Sequence, residues 1–212
     1  MVDFHHYRRP FKMKWDDFLC LPPYYMTFMQ VIRFRYNGGL KEVGFTIKTR
    51  HLTGGIGMDI QLQKVTRENW EEAISLQVAE EQAGFTPPVA VSLAKVYVKP
   101  DGDNVDYIPF AIYDGPRMVG FIMHACEENT ADMYWINGFL IDERYQGQGY
   151  GRAALSEMIR WIVSRWDRCR EIRLTVHGNN RIAKHLYESA GFTPTGAVYG
   201  GEEVWSLPVA KG

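Results

Sequence analysis

Residues 146–151 read Gln146-Gly147-Gln148-Gly149-Tyr150-Gly151, lying between an apolar run at 135–141 and an amphipathic stretch that opens near Arg152. The glycines free the backbone for left-handed turns and close ligand approach. A strand, a glycine-rich turn and a helix N-terminus in that order present bare backbone N–H groups to an anion such as a phosphate. Two other cradles fit poorly. A Walker-type loop ends in Gly-Lys-Ser/Thr, whereas this turn ends Gly151-Arg152-Ala153. The dinucleotide fingerprint needs a glycine three residues after Gly149, where Arg152 stands. An ordinary strand-to-helix turn remains the plain alternative.

The elements around the turn are legible from periodicity. Ala154, Leu155, Met158, Ile159, Ile162, Val163 and Trp166 form one helical stripe, with Glu157, Arg160, Ser164 and Arg165 opposite. Ile172, Leu174 and Val176 alternate with Arg173 and Thr175, predicting a strand over 171–177. A crossover helix between two strands makes them parallel neighbours. Asn180 then suits a helix N-cap and Gly191 the position just past the helix end, so a short helix fills the interval.

Gln146-x-x-Gly149-x-Gly151 followed by Asn180-x-x-Ala183-x-x-Leu186-Tyr187-x-x-x-Gly191-Phe192 resembles the GCN5-related N-acetyltransferase superfamily. The likeness spans about residues 58–207 and is greatest to bacterial spermidine/diamine N-acetyltransferases. Residues 141–147 and the closing Tyr199-Gly200-Gly201-Glu202-Glu203-Val204 hairpin carry that closer match. The resemblance implies an α/β fold of the α+β kind, a mixed central sheet splayed like a V between its fourth and fifth strands, with helices on both faces and acetyl-CoA in the opening as cosubstrate. By the same resemblance, backbone groups of Phe139, Leu140 and Ile141 pair with the pantetheine arm. The amides of Gln146, Gly147, Gln148, Gly149, Tyr150, Gly151 and Arg152 take the pyrophosphate. Asn180 and Ala183 flank the arm, and Tyr187 is the general acid. These roles are chemically coherent, because a thiolate leaving group needs a proton that a phenol of pKa about 10 can give. The plainer alternatives are a core aromatic for Tyr187, an N-cap for Asn180 and a buried strand for residues 139–141.

The acceptor is less defined. A polyamine site calls for carboxylates, and the positions where related polyamine enzymes often carry them are Asn137 and Gly138 here. Glu80, Glu81 and Asp142 are the candidates to compensate and, through water, to take the proton of an amine whose pKa lies near 10.4; solvated surface charge is their plain alternative. The expected activity is acetyl transfer to a primary amine of a small molecule, spermidine, spermine or a diamine among them. A non-catalytic acyl-CoA sensor, or an acetyltransferase for aminoglycosides, amino acids or protein N-termini, is the alternative.

The chain has 212 residues, 46% hydrophobic and 14% aromatic, with net charge −1, enough for one main core. Residues 1–57 hold nine Lys/Arg against four Asp/Glu, so the acidic excess lies in the remainder, against a nucleic-acid partner and in keeping with a cationic acceptor. Cys20, Cys126 and Cys169 are odd in number and lack a Cys-x-x-Cys pair; no disulfide framework or metal site is indicated, and a cytoplasmic protein is expected. No stretch approaches the ~18 apolar residues of a membrane span. The aromatic C-terminal hairpin is a candidate homodimer surface.

Residues 58–212 are expected to be the acetyltransferase domain, with Met58 the natural start. Residues 1–57 read as an N-terminal extension, upstream and mistranslated or disordered, although residues 31–36 and 43–47 around Asn37-Gly38-Gly39 have hairpin character. Between Met58 and the central strand the pattern predicts a strand over 60–65, a helix over 67–81 capped by Thr66, a helix over 88–97, a hairpin of 108–113 with 119–126, and a strand over 133–141.

Overall fold

The computed structural model describes residues 33–36, 39–42 and 58–210. The chain divides into two compact units, Met1–Ile56 and Gly57–Gly212. In the first, strands β1 (Arg33–Tyr36) and β2 (Gly39–Glu42) pair antiparallel with Tyr36 opposite Gly39. The second strand thus starts earlier than the expected 43–47, which lies outside the described residues.

The second unit runs β3 (Ile60–Lys64), α1 (Trp70–Ile74), α2 (Val89–Val98), β4 (Asp106–Asp114), β5 (Arg117–Cys126), β6 (Tyr134–Ile141), α3 (Tyr150–Arg165), β7 (Glu171–Val176), α4 (Arg181–Ser189), β8 (Thr193–Tyr199) and β9 (Glu202–Pro208). Short 3₁₀ turns lie at Glu80–Gln82 and Glu143–Tyr145. The strands form one sheet in the order β3-β4-β5-β6-β7-β9-β8, in which β6 and β7 are the parallel neighbours. This is the mixed α/β architecture expected from the sequence.

Apolar residues of α3 and α4 pack one face of the sheet, where Leu155, Met158 and Ile162 meet Ile122, Ile172 and Leu174. Ala73 and Val89 of α1 and α2 cover the other face with Phe121, Met123 and Leu140. β5 is buried on both faces after its first residue, which is why it reads as a continuous apolar run without alternation.

Helix α1 is far shorter than the predicted 67–81. Its opening turn is held by the Thr66 carbonyl, which accepts from the Trp70 amide at 3.1 Å, while the Thr66 amide donates to Asn69 Oδ1 at 2.7 Å. At the other end the backbone of Gln77 bonds outside any helix: its amide donates to Asp142 Oδ2 at 3.2 Å and its carbonyl accepts from Glu143 N at 2.8 Å. Long-range partners therefore take the groups that continued helix would use.

His124 of β5 is fully buried among Tyr134, Trp161 and Trp166. Its Nδ1 lies 2.9 Å from the Trp135 carbonyl, and its Nε2 has no partner. Burial pushes the imidazole pKa down to about 4, the carbonyl only partly opposing it. An imidazole that resists protonation when folded but titrates near 6.5 when unfolded makes the unfolded state the better proton binder between those values. Stability is therefore expected to fall as pH drops from 6.5 towards about 4, by on the order of 3 kcal/mol across the window. Denaturant unfolding at a series of pH values checks this, with His124→Gln expected to flatten the slope.

Candidate active site

A β-bulge opens the sheet. Tyr134 and Ile136 of β6 face the α3 side, as do Phe139 and Ile141, so the two-residue alternation changes phase at Gly138. Gly138 has φ +56°, and a Cβ there would come within 2.5 Å of Ser92 Oγ on α2, so both conformation and space demand glycine. β6 pairs with β7 only at Trp135↔Arg173 and Ile136↔Leu174. Beyond that point the strands part, leaving the β7-facing edge of residues 137–141 without a sheet partner. β7 stays paired to β9 on its other side.

A cleft of about 470 Å³ occupies this opening. Phe139, Leu140, Ile141, Gln146, Gly147, Gly149, Tyr150, Gly151, Asn180, Ala183 and Tyr187 all line it, as does Asn137. The structure thus brings together most of the residues singled out from the sequence.

At one end lies the glycine turn. Gly147 and Gly149 have φ +73° and +91°, and Gly149 is the N-cap of α3. Among the described residues, the backbone amides from Gly147 to Arg152 donate to no protein acceptor. They open on the N-terminus of a sixteen-residue helix, so dipole and donors point the same way. The turn is braced by Gln146, whose side-chain amide donates to the Ile141 carbonyl at 2.9 Å and exchanges reciprocal 3.0 Å bonds with Gln82. The Gln148 side chain bonds the Arg144 carbonyl and Arg152 is exposed; neither lines the cleft, so only their amides face an anion. The unpaired amides and the bare strand edge fit a diphosphate carried on an extended, amide-containing arm.

Opposite the strand edge, the Asn180 side chain accepts from Ala183 N at 3.0 Å and so caps α4, the helix that carries Tyr187. Tyr187 is 8% exposed, and its hydroxyl makes no hydrogen bond among the described residues. Burial raises its pKa well above 10, and the negative charge of Glu202 adds to the rise. A phenol in that state holds its proton at neutral pH.

The acidic candidates from the sequence are placed elsewhere. Glu80 and Glu81 are exposed on the 3₁₀ turn and outside the cleft lining. Asp142 is 2% exposed and also outside it: its carboxylate accepts from Arg144 Nε at 2.6 Å, Arg144 N at 3.1 Å and Gln77 N at 3.2 Å. Burial alone would raise its pKa, but these bonds more than offset it and hold the group below the usual carboxylate value. Asp142 is thus a brace between the α1 loop and the turn after β6. The carboxylate that does line the cleft is Glu202 at the start of β9. Its neighbour Glu203 bonds Lys184 Nζ at 2.6 Å and Trp205 Nε1 at 3.1 Å, whereas the Glu202 side chain bonds nothing among the described residues. The available signal was two adjacent glutamates on a strand, which must face opposite ways.

The profile of the Acetyltransferase (GNAT) family matches residues 70–192. The chain is 30% identical over 153 residues to a spermine/spermidine N(1)-acetyltransferase of Bacillus subtilis (strain 168), covering 69% of this chain and 97% of that one. It is 29% identical over 153 residues, with the same coverage, to a probable spermine N(1)-acetyltransferase of Bacillus subtilis subsp. natto (strain BEST195). In fold it is similar to the spermidine N-acetyltransferase from Vibrio cholerae solved with CoA and spermine: TM-score 0.54, 19% identity, 70% of this chain and 95% of that one covered.

Proposed function

The chain belongs to the acetyltransferase (GNAT) family and is an acetyl-CoA-dependent acyltransferase, and from that premise we propose that its cleft transfers the acetyl group directly to a primary amine of a small molecule. The observation that carries this reading is a single cleft holding an open amide turn, an unbonded phenol and an unbonded carboxylate. When bound, the cosubstrate supplies an activated acetyl group and a thiolate leaving group. The amides from Gly147 to Arg152 hold its diphosphate, and the edge from Phe139 to Ile141 aligns its arm. The Tyr187 hydroxyl gives its proton to the departing sulfur, and its raised pKa keeps that proton available. Glu202 seats the acceptor ammonium in the same cleft. The ammonium loses a proton to water and the neutral amine attacks the thioester carbonyl. The C–S bond breaks as the Tyr187 proton reaches sulfur, and the new amide nitrogen gives its second proton to water.

The named activities of the Bacillus subtilis relatives make polyamines the first acceptors to try, but the one carboxylate that lines the cleft seats one ammonium. Asn137 and Gly138, which line the cleft, add no second negative charge. Thiol release should be followed with acetyl-CoA and a panel of polyamines, diamines, aminoglycosides, amino acids and short peptides. Amine-dependent release with an acetylated product is expected. Binding of acetyl-CoA without release across the whole panel would instead mark a non-catalytic acyl-CoA sensor.

A further inference from the structure

Two side chains of opposite charge line the cleft, and among the described residues neither makes a hydrogen bond or a salt bridge. One is Glu202; the other is Lys95 of α2. Both are half-buried, and they do not bridge to each other. Their neighbours in the chain are paired: Lys99 with Asp106, and Glu203 with Lys184. An opposite pair in one cavity, both partly desolvated, without a salt bridge and not neutralising each other, is arranged for something that brings a direct partner to each, since Lys95 feels the Asp101 carboxylate only at longer range.

The position of Lys95 can be followed along the chain. Gln82 bonds Gln146 at the amide turn, Ser92 abuts Gly138 at the bulge, and Lys95 lies three residues further on the same helix face. At that end its charge acts on Asp101, whose carboxylate accepts from Tyr107 and, at 2.7 Å, from Tyr199 of β8. Tyr199 pairs with Glu202 across the β8–β9 hairpin. Lys95 therefore lies away from the amide turn, on the side of the cleft where Glu202 stands.

Resting on the reading of this cleft as the site of acetyl transfer, we propose that the acceptor carries an anionic group besides its amine, the ammonium seated by Glu202 and the anion by Lys95. A zwitterionic amine satisfies both open charges. A diamine or polyamine that seats one ammonium on Glu202 brings its next ammonium towards Lys95, and like charges placed together are costly.

The test compares ω-amino acids, monoalkylamines and diamines in matched series of increasing chain length, with kcat/KM for each. At the best length the amino acid is expected to exceed the diamine by about tenfold, and Lys95→Glu to invert that ratio, with Lys95→Met bringing it close to unity. Acetyl-CoA titration by calorimetry verifies that each variant is folded and loaded. A wild-type preference for the diamine, or a ratio unmoved by Lys95→Glu, overturns the proposal and leaves acetyl transfer standing. So does failure of all three series when the broad panel yields an acceptor without an anionic group, whereas an α-amino acid or peptide acceptor lost in Lys95→Glu would support it. Failure of the broad panel as well overturns the reading of the site itself.

Discussion

Tyr187→Phe is expected to lower kcat by about 100-fold or more while leaving acetyl-CoA affinity near that of the wild type. The substitution removes one oxygen from a side chain whose hydroxyl makes no hydrogen bond among the described residues, so none of the described bonds is lost. The ring keeps its packing against Phe192, with centroids 6.0 Å apart. A structural role would thus leave turnover almost untouched, whereas a proton donor to the leaving sulfur cannot be replaced by a phenyl ring. Burial and Glu202 both raise the phenol pKa, so Tyr187 remains protonated through the neutral range. Any alkaline limb of kcat that appears below pH 10 therefore belongs to another group. Steady-state kinetics from pH 6 to 10, paired with calorimetric titration, separate the two roles; equal kcat in both proteins would remove Tyr187 from acid catalysis.

Gly149→Val is expected to weaken acetyl-CoA binding by roughly 10- to 100-fold, matching about 1–3 kcal/mol of backbone strain. Space is the lesser obstacle. A Cβ at Gly149 meets the Met58 methyl at 3.0 Å, the movable end of a flexible side chain. Conformation decides: φ is +91° at the N-cap of α3, and a β-branched residue is strained there. The chain relieves that strain by rotating the adjoining peptides, which turns their amides away from the anion. Calorimetric titration with thermal unfolding checks the outcome. A variant that folds and binds acetyl-CoA normally would contradict it.

The parts of this site written in short-range sequence were legible in advance. The α3 stripe, the alternation of β7, the glycines of the turn and the Asn180 cap each depend on a few consecutive residues. The structure bears each out, starting α3 at Tyr150 and closing the Asn180–Ala183 bond. Long-range features were not legible. Helix α1 stops because Gln77 finds partners in Asp142 and Glu143, some sixty-five residues away. The same contact buries Asp142, which as sequence is one more acidic residue at a strand end. Of the adjacent Glu202 and Glu203, the inward one is decided by Lys184 and Trp205, which claim the other. Gly138 read as a missing acid, whereas its positive φ makes it the bulge that splays the sheet and opens the cleft.

The central claim is that unsatisfied main-chain amides at the start of α3 grip a diphosphate and thereby hold a thioester where β6 and β7 separate. Amide hydrogen exchange resolved to single residues, with and without saturating CoA or pantetheine, tests it most directly. CoA should slow exchange from Gly147 to Arg152, whereas pantetheine, lacking the diphosphate, should leave those amides fast while protecting residues 139–141. Equal protection of the turn by both ligands, or no protection by bound CoA, would contradict the account.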